Sequence, residues 1–189
     1  TGTLNADDYY YMHDSLTVVQ VIDLDEARTI SPLDTIPHRA FKNKTTLKSV
    51  IVPATTTHIG DAVFLGCSNL SDVKLPVTIQ SLGTYAFSSS GITSIELPAT
   101  FTQTSGACFW SCSKLVKAIV PHTISLFAGC YNLKTVIVPD GVTQIRDGAF
   151  SQLTSMTNIS IPSSVISIGT HAFYACINLD SIPLPEGLT

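Results

Sequence analysis

The pentapeptide CFWSC at 108–112 sets two thiols four residues apart. Such a pair can hold a metal or close a disulfide, and the chain has five cysteines: Cys67, Cys108, Cys112, Cys130 and Cys176. A metal site needs a second ligand pair at short spacing, and none follows Cys112. The histidines His13, His38, His58, His122 and His171 share no H-x3-H spacing and have no paired nucleophile motif. Asp7 and Asp8 stand side by side near the amino end, where a capping or turn role suits them better than acid–base work. No glycine-rich phosphate loop is written. No catalytic constellation, metal set or cofactor motif emerges, so we expect a non-enzymatic chain without a cofactor.

Composition narrows the class further. The chain has 189 residues, room for one ordinary domain with a core. Hydrophobic residues make up 44% and charged residues 13%, about half the usual charge density. That excludes a disordered chain. A net charge of -4 offers no basic face for nucleic acid. No run reaches the roughly 18 apolar residues that span a bilayer. No signal peptide is visible, and Thr1 is not an initiator, which suggests a processed or trimmed chain.

Two ladders run through the sequence. Phe41, Phe64, Phe87, Phe109, Phe127, Phe150 and Phe173 step by 23, 23, 22, 18, 23 and 23 residues. Pro53, Pro76, Pro98, Pro121, Pro139, Pro162 and Pro185 step by 23, 22, 23, 18, 23 and 23. Between them lies Leu-x-x-Val-x-Val or its equivalent, as in LKSVIVP (47–53), LVKAIVP (115–121) and LKTVIVP (133–139). Its period-2 alternation reads as a short strand. Proline suits the strand's exit, since it cannot donate to a ladder and fixes φ for the turn. After each Pro, apolar residues recur at +3 and +6, as in Ile79 and Leu82 or Val165 and Ile168. Gly60, Gly83 and Gly169 follow the +6 residue and suit a bend. One unit cannot bury its apolar face alone. Stacking units as parallel strands about 4.8 Å apart gives a continuous core.

The cysteines fall into this frame. Cys67, Cys112, Cys130 and Cys176 each lie three residues after a ladder Phe, a slot that Ser90 and Leu153 fill elsewhere. Small buried hydrophobes fit that slot. A Cys112–Cys130 disulfide between adjacent repeats is the alternative.

The wording IGxxAFxxCxxLxxIxIPxxV resembles the BspA-like, or Treponema-type, leucine-rich repeats. The resemblance covers residues 16–189, behind an opening segment, 1–15, that looks like the capping segment of such arrays. It implies an α/β-type leucine-rich repeat solenoid of about seven 23-residue repeats, with a parallel sheet on one face and irregular or short helical back segments. It also implies a cell-surface or secreted, protein-binding module that adheres to host matrix proteins or other cells. A structural spacer presenting another domain is the competing reading.

Some units depart from the rule. The first has Ile22 in place of Pro, and its extra residues are expected to bulge near 25–33 before Ile36 re-enters the core. Pro121 to Phe127 is six residues, too short for the Ile-Gly arm, and Thr104-Ser105 replace Ile-Gly just before it. A back-wall irregularity and a change of curvature are expected across 101–127. The chain stops mid-unit, which favours continuation past Thr189 over an open end pairing with another molecule through Leu184 and Leu188.

Alternation also sorts the strand faces. Val50 and Val52 should point inward, with Ser49 and Ile51 outward. The same rule turns Lys74 and Glu96 outward, then Lys117 and Ile119, then Thr135 and Ile137. Ile119 beside Ile137 makes a small apolar patch next to Lys117, our first choice for a protein partner. β-Branched residues also sit on strands simply because they suit them. Trp110, in a slot read as outward-facing, is either a binding anchor or packing over the missing arm.

Overall fold

A run of short strands separated by two tight corners per unit can close only by stacking, and it does. The computed structural model describes residues 3–15, 17–24, 28–29, 34–104, 106–121 and 126–188. Its elements begin with β1 (Thr3–Leu4), α1 (Ala6–Ser15), β2 (Val21–Asp23), β3 (Arg28–Thr29), β4 (Thr35–Ile36) and β5 (Ser49–Ile51). Then come β6 (His58–Ile59), β7 (Asp72–Lys74), β8 (Ser81–Leu82), β9 (Ser94–Glu96) and β10 (Gln103–Thr104). The last are β11 (Lys117–Ile119), β12 (Thr135–Ile137), β13 (Gln144–Ile145), β14 (Asn158–Ser160) and β15 (Ser167–Ile168).

All strand pairs are parallel. The front wall holds two ladders, β2-β5-β7 and β9-β11-β12-β14. The back wall holds β4-β6-β8-β10 and β13-β15. Among the described residues these two back ladders lie on either side of the short unit. Residues 122–125, where its missing arm was expected, lie outside the described residues, as does most of the bulge expected at 25–33. Ile36 does re-enter the core, fully buried.

Of the irregular or short helical back segments expected, the described residues form short strands and turns. Among the described residues the one helix is α1, at the amino end. Each back arm has two alternating apolar positions, a glycine or β-branched neighbours, and too few residues for a helix to outweigh its nucleation cost. The fold is a parallel β-solenoid of about six turns with little helix.

The corner at Phe41 is built by alternating donors. Arg39, Phe41 and Asn43 send their N–H groups to the carbonyls of Asp61, Val63 and Leu65 in the next coil, at 2.9, 3.0 and 2.7 Å. The residues between them, Ala40, Lys42 and Lys44, bond back to Pro37, Arg39 and Phe41 of their own coil. This zigzag needs a left-handed residue two before and two after the Phe. Arg39 (φ 62), Ala62 (φ 54), Tyr85 (φ 57), Ser89 (φ 54) and Gln152 (φ 63) all adopt it although none is glycine. Inter-coil hydrogen bonds outweigh a local cost of about 1–2 kcal/mol per such residue.

Inside the corner the rings stack. Phe41–Phe64, Phe64–Phe87, Phe87–Phe109 and Phe109–Phe127 lie 5.0 to 5.5 Å apart, and Phe150–Phe173 repeats the contact at 5.7 Å. Tyr9 of α1 meets Phe41 edge-on at 6.0 Å. Asn5 starts α1 by accepting from the N–H groups of Asp7 and Asp8, while the Asp8 carboxylate accepts from the Asn5 N–H at 2.9 Å. Asp8 thus takes the capping role expected of the acidic pair, and Asp7 contributes its backbone N–H. Burial, then the nearby Asp8 charge, pushes the Tyr9 phenol up to about 12.

Gly60, Gly83 and Gly169 serve close approach rather than a bend. A Cβ at Gly83 would lie 2.5 Å from the Asp61 backbone nitrogen, and one at Gly169 would lie 2.4 Å from that of Asp147. Next to each contact point, the Asp61 and Asp147 carboxylates accept from the N–H groups of Thr84 and Thr170, each at 2.7 Å.

Candidate functional site

The pleat sorts the front strands as alternation requires. Val50, Ile95, Ala118, Val136 and Ile159 are buried. Their neighbours form two rows on the outer face. Register places Lys117 beside Ser94 and Thr135, and Ile119 beside Glu96 and Ile137. Glu96, Lys117, Ile119, Thr135 and Ile137 thus share one face of three adjacent strands. Glu96 and Lys117 are exposed, whereas Ile119, Thr135 and Ile137 are half-buried. Lys74 is exposed too, but it lies on the other ladder, where Ile51 is its neighbour.

Trp110 does not join this group. It stands on the turn before β11, 48% exposed, with its ring edge-on to Tyr85 at 6.4 Å. Its slot is not uniformly outward, for Ser88 occupies the same position one coil earlier and is fully buried. The stretch after Ser88 is one residue shorter than in the other units, and there Gly91 donates its N–H to the Cys67 carbonyl at 3.1 Å. A Cβ at Gly91 would lie 2.4 Å from the Ser68 carbonyl oxygen.

The cysteine slot is structural. Cys67, Cys112, Cys130 and Cys176 each donate Sγ–H to the carbonyl of the preceding coil's Phe (Phe41, Phe87, Phe109 and Phe150), at 3.0 Å in every case. None of the five cysteines is joined in a disulfide. Burial pushes Cys67 and Cys108 up to about 12, which holds them protonated and unreactive. Hydrogen bonding with Cys112, followed by burial, raises Cys130. The first corner puts Lys44 in this slot, 8% exposed, a substitution that counting three from Phe41 would have revealed. Among the described residues, no group of three or more His, Cys, Asp or Glu could hold a metal ion.

One concavity adjoins the strand face. A cleft of about 350 Å³ opens where β9, β11 and β12 exit into their prolines. Leu97, Pro98, Ile119, Pro121, Pro139 and Val142 supply apolar wall, and Glu96 and Asp140 supply exposed carboxylates. Three successive turns contribute, and the step that is short by five residues lies between the second and third. Period-2 reading identified Glu96 and Ile119 but missed the cleft, because alternation says nothing about what lies past the proline. The 18-residue step was the signal available.

A stack of parallel two- and three-residue strands, with a Phe ladder at one corner and a Pro ladder at the strand exits, is a leucine-rich repeat solenoid. The model of the BspA type leucine rich repeat region matches residues 34–126 and 123–189 in six copies, and the chain belongs to that family. A leucine-rich repeat protein from Bacteroides ovatus ATCC 8483 is 29% identical over 87% of this chain, with a TM-score of 0.70. The chain spans only 44% of that protein. The T. pallidum leucine rich repeat protein shares the fold at 24% identity and a TM-score of 0.70, covering 94% of this chain and 83% of its own. No curated protein matches the chain. No described helix is long and apolar enough to cross a membrane.

Proposed function

We propose that the chain is the non-enzymatic protein-binding part of a cell-surface or secreted protein. It adheres to host matrix proteins or to other cells through the front strand face. Family membership supports a binding scaffold, since such solenoids present extended faces to partners. The observation that carries the site is the direct pairing of Ile119 with Ile137, with Glu96 beside Ile119 and Lys117 on the same strand. An apolar centre with a charged rim is the usual anatomy of an interface.

The test is saturable binding of the purified chain to a panel of immobilised matrix proteins, with Ile119→Asp/Ile137→Asp as the control. Binding lost in the double variant, with the circular dichroism spectrum unchanged, supports the strand face. Binding that survives moves the site, with Trp110 next. No binding in any arm favours the spacer reading, which the half-burial of Ile119 and Ile137 already admits.

A further inference from the structure

We propose that the cleft beside Ile119 receives an arginine side chain carried, next to an apolar residue, on an extended segment of the partner protein. This rests on the strand face being a protein-binding surface. The argument is one of donors and acceptors. Pro98, Pro121 and Pro139 have no N–H to offer. The Gly141 N–H is spent on Ser164 Oγ at 3.1 Å, and that of Leu97 on the Ile119 carbonyl at 3.0 Å. The Val142 N–H is spent on the Pro139 carbonyl at 3.5 Å. Six of the ten lining residues thus offer no free backbone donor, while the exposed Glu96 and Asp140 carboxylates supply charged acceptors.

A guest that only donates fits this site, and guanidinium has five donors and no acceptor. Charge agrees, since both ionisable groups in the lining are acidic. Lys117, the nearby cation, belongs to the other row of the strand face, between Ser94 and Thr135. Arginine fits better than lysine. Its weakly hydrated, planar head forks onto carboxylates, and its methylene stem can lie along the prolines and Ile119. A volume of about 350 Å³ holds one long side chain with the edge of its neighbour. Residues flanking the arginine would then run over the Ile119–Ile137 pair.

The probe is a fluorescein-labelled peptide, Gly-Ser-Leu-Arg-Phe-Ser-Gly, read by anisotropy. Counterparts carry citrulline, lysine or glutamate in place of arginine. The arginine peptide should saturate the intact chain and weaken at high salt. Citrulline keeps the shape without the charge, and it should lose about tenfold or more, as should glutamate. Glu96→Gln/Asp140→Asn should cost the arginine peptide a similar factor while leaving citrulline binding unchanged. Equal binding of the arginine and citrulline peptides, or wild-type affinity in the double variant, overturns the proposal. A matrix protein that needs Ile119 and Ile137 but ignores Glu96→Gln/Asp140→Asn keeps the strand face and removes the arginine site. Absence of saturable binding by any peptide or protein overturns both.

Discussion

Thr56 and Thr78 sit one coil apart, and the same substitution should move stability in opposite directions at the two. Thr56 lies three residues after Pro53, in the column that Ile79, Phe101 and Val165 occupy elsewhere, and like them it is fully buried. Its hydroxyl oxygen has no hydrogen-bond partner. A buried, unsatisfied hydroxyl costs about 1–3 kcal/mol. Thr56→Val exchanges that hydroxyl for a methyl of similar size in an apolar column. It should stabilise the chain by about 1–2 kcal/mol, raising Tm by ~2–4 °C per kcal/mol in a chain of this length. The Thr78 hydroxyl instead lies 2.8 Å from both the Ala54 and Thr56 carbonyl oxygens and ties two coils together. Thr78→Val removes that bond and should cost ~1 kcal/mol. Urea unfolding of the two variants beside the parent, at equal m-values, reads the difference. A Thr56→Val variant less stable than the parent would refute the reasoning, because it would mean that a buried water satisfies the hydroxyl.

Gly83→Ala should destabilise by ~3 kcal/mol or more, since the new Cβ would meet backbone at 2.5 Å, whereas Gly106→Ala, with nothing within 4 Å, should be near neutral in the same unfolding assay. The pH dependence follows from the buried thiols. Cys67 and Cys108 are raised to about 12, so above the unfolded thiol range the unfolded chain has released protons that the native chain still holds. Their contribution is full below about pH 9 and is lost as pH rises from there towards 12. Unfolding midpoints measured up that range should fall, and Cys67→Ala/Cys108→Ala should flatten the decline. A profile equally steep in that variant would place the cause elsewhere.

The buried half of this fold was legible because a stacked structure must ask for the same residue at the same depth in every coil. Phe41 through Phe173 and Pro53 through Pro185 announce themselves for that reason, and alternation correctly turned Ile119, Ile137, Lys117 and Glu96 outward. The left-handed corners were not legible. Nothing in Arg39, Ser89 or Gln152 signals a positive φ, because what holds it is a hydrogen bond to a coil 21 or 22 residues away. The glycines misled for a related reason. Gly83 reads as a bend, yet its cause is the Asp61 backbone of the previous coil.

The cleft was the hardest feature to foresee, and the reason bears on recognition. A perfect array repeats its surface every coil, so a partner would meet several equivalent registers and choose none. One coil shortened to 18 residues breaks that equivalence. The cleft lined by Pro98, Pro121, Pro139 and Val142, with the exposed Glu96 and Asp140, spans that step. The regular units thus supply stability and reach, while the irregular one singles out a location along the solenoid. If binding is position-specific on this chain, lengthening the short unit should abolish it while leaving the Phe ladder on either side intact. A regularised chain that still bound at one stoichiometric site would show that Ile119 and Ile137 alone define the place.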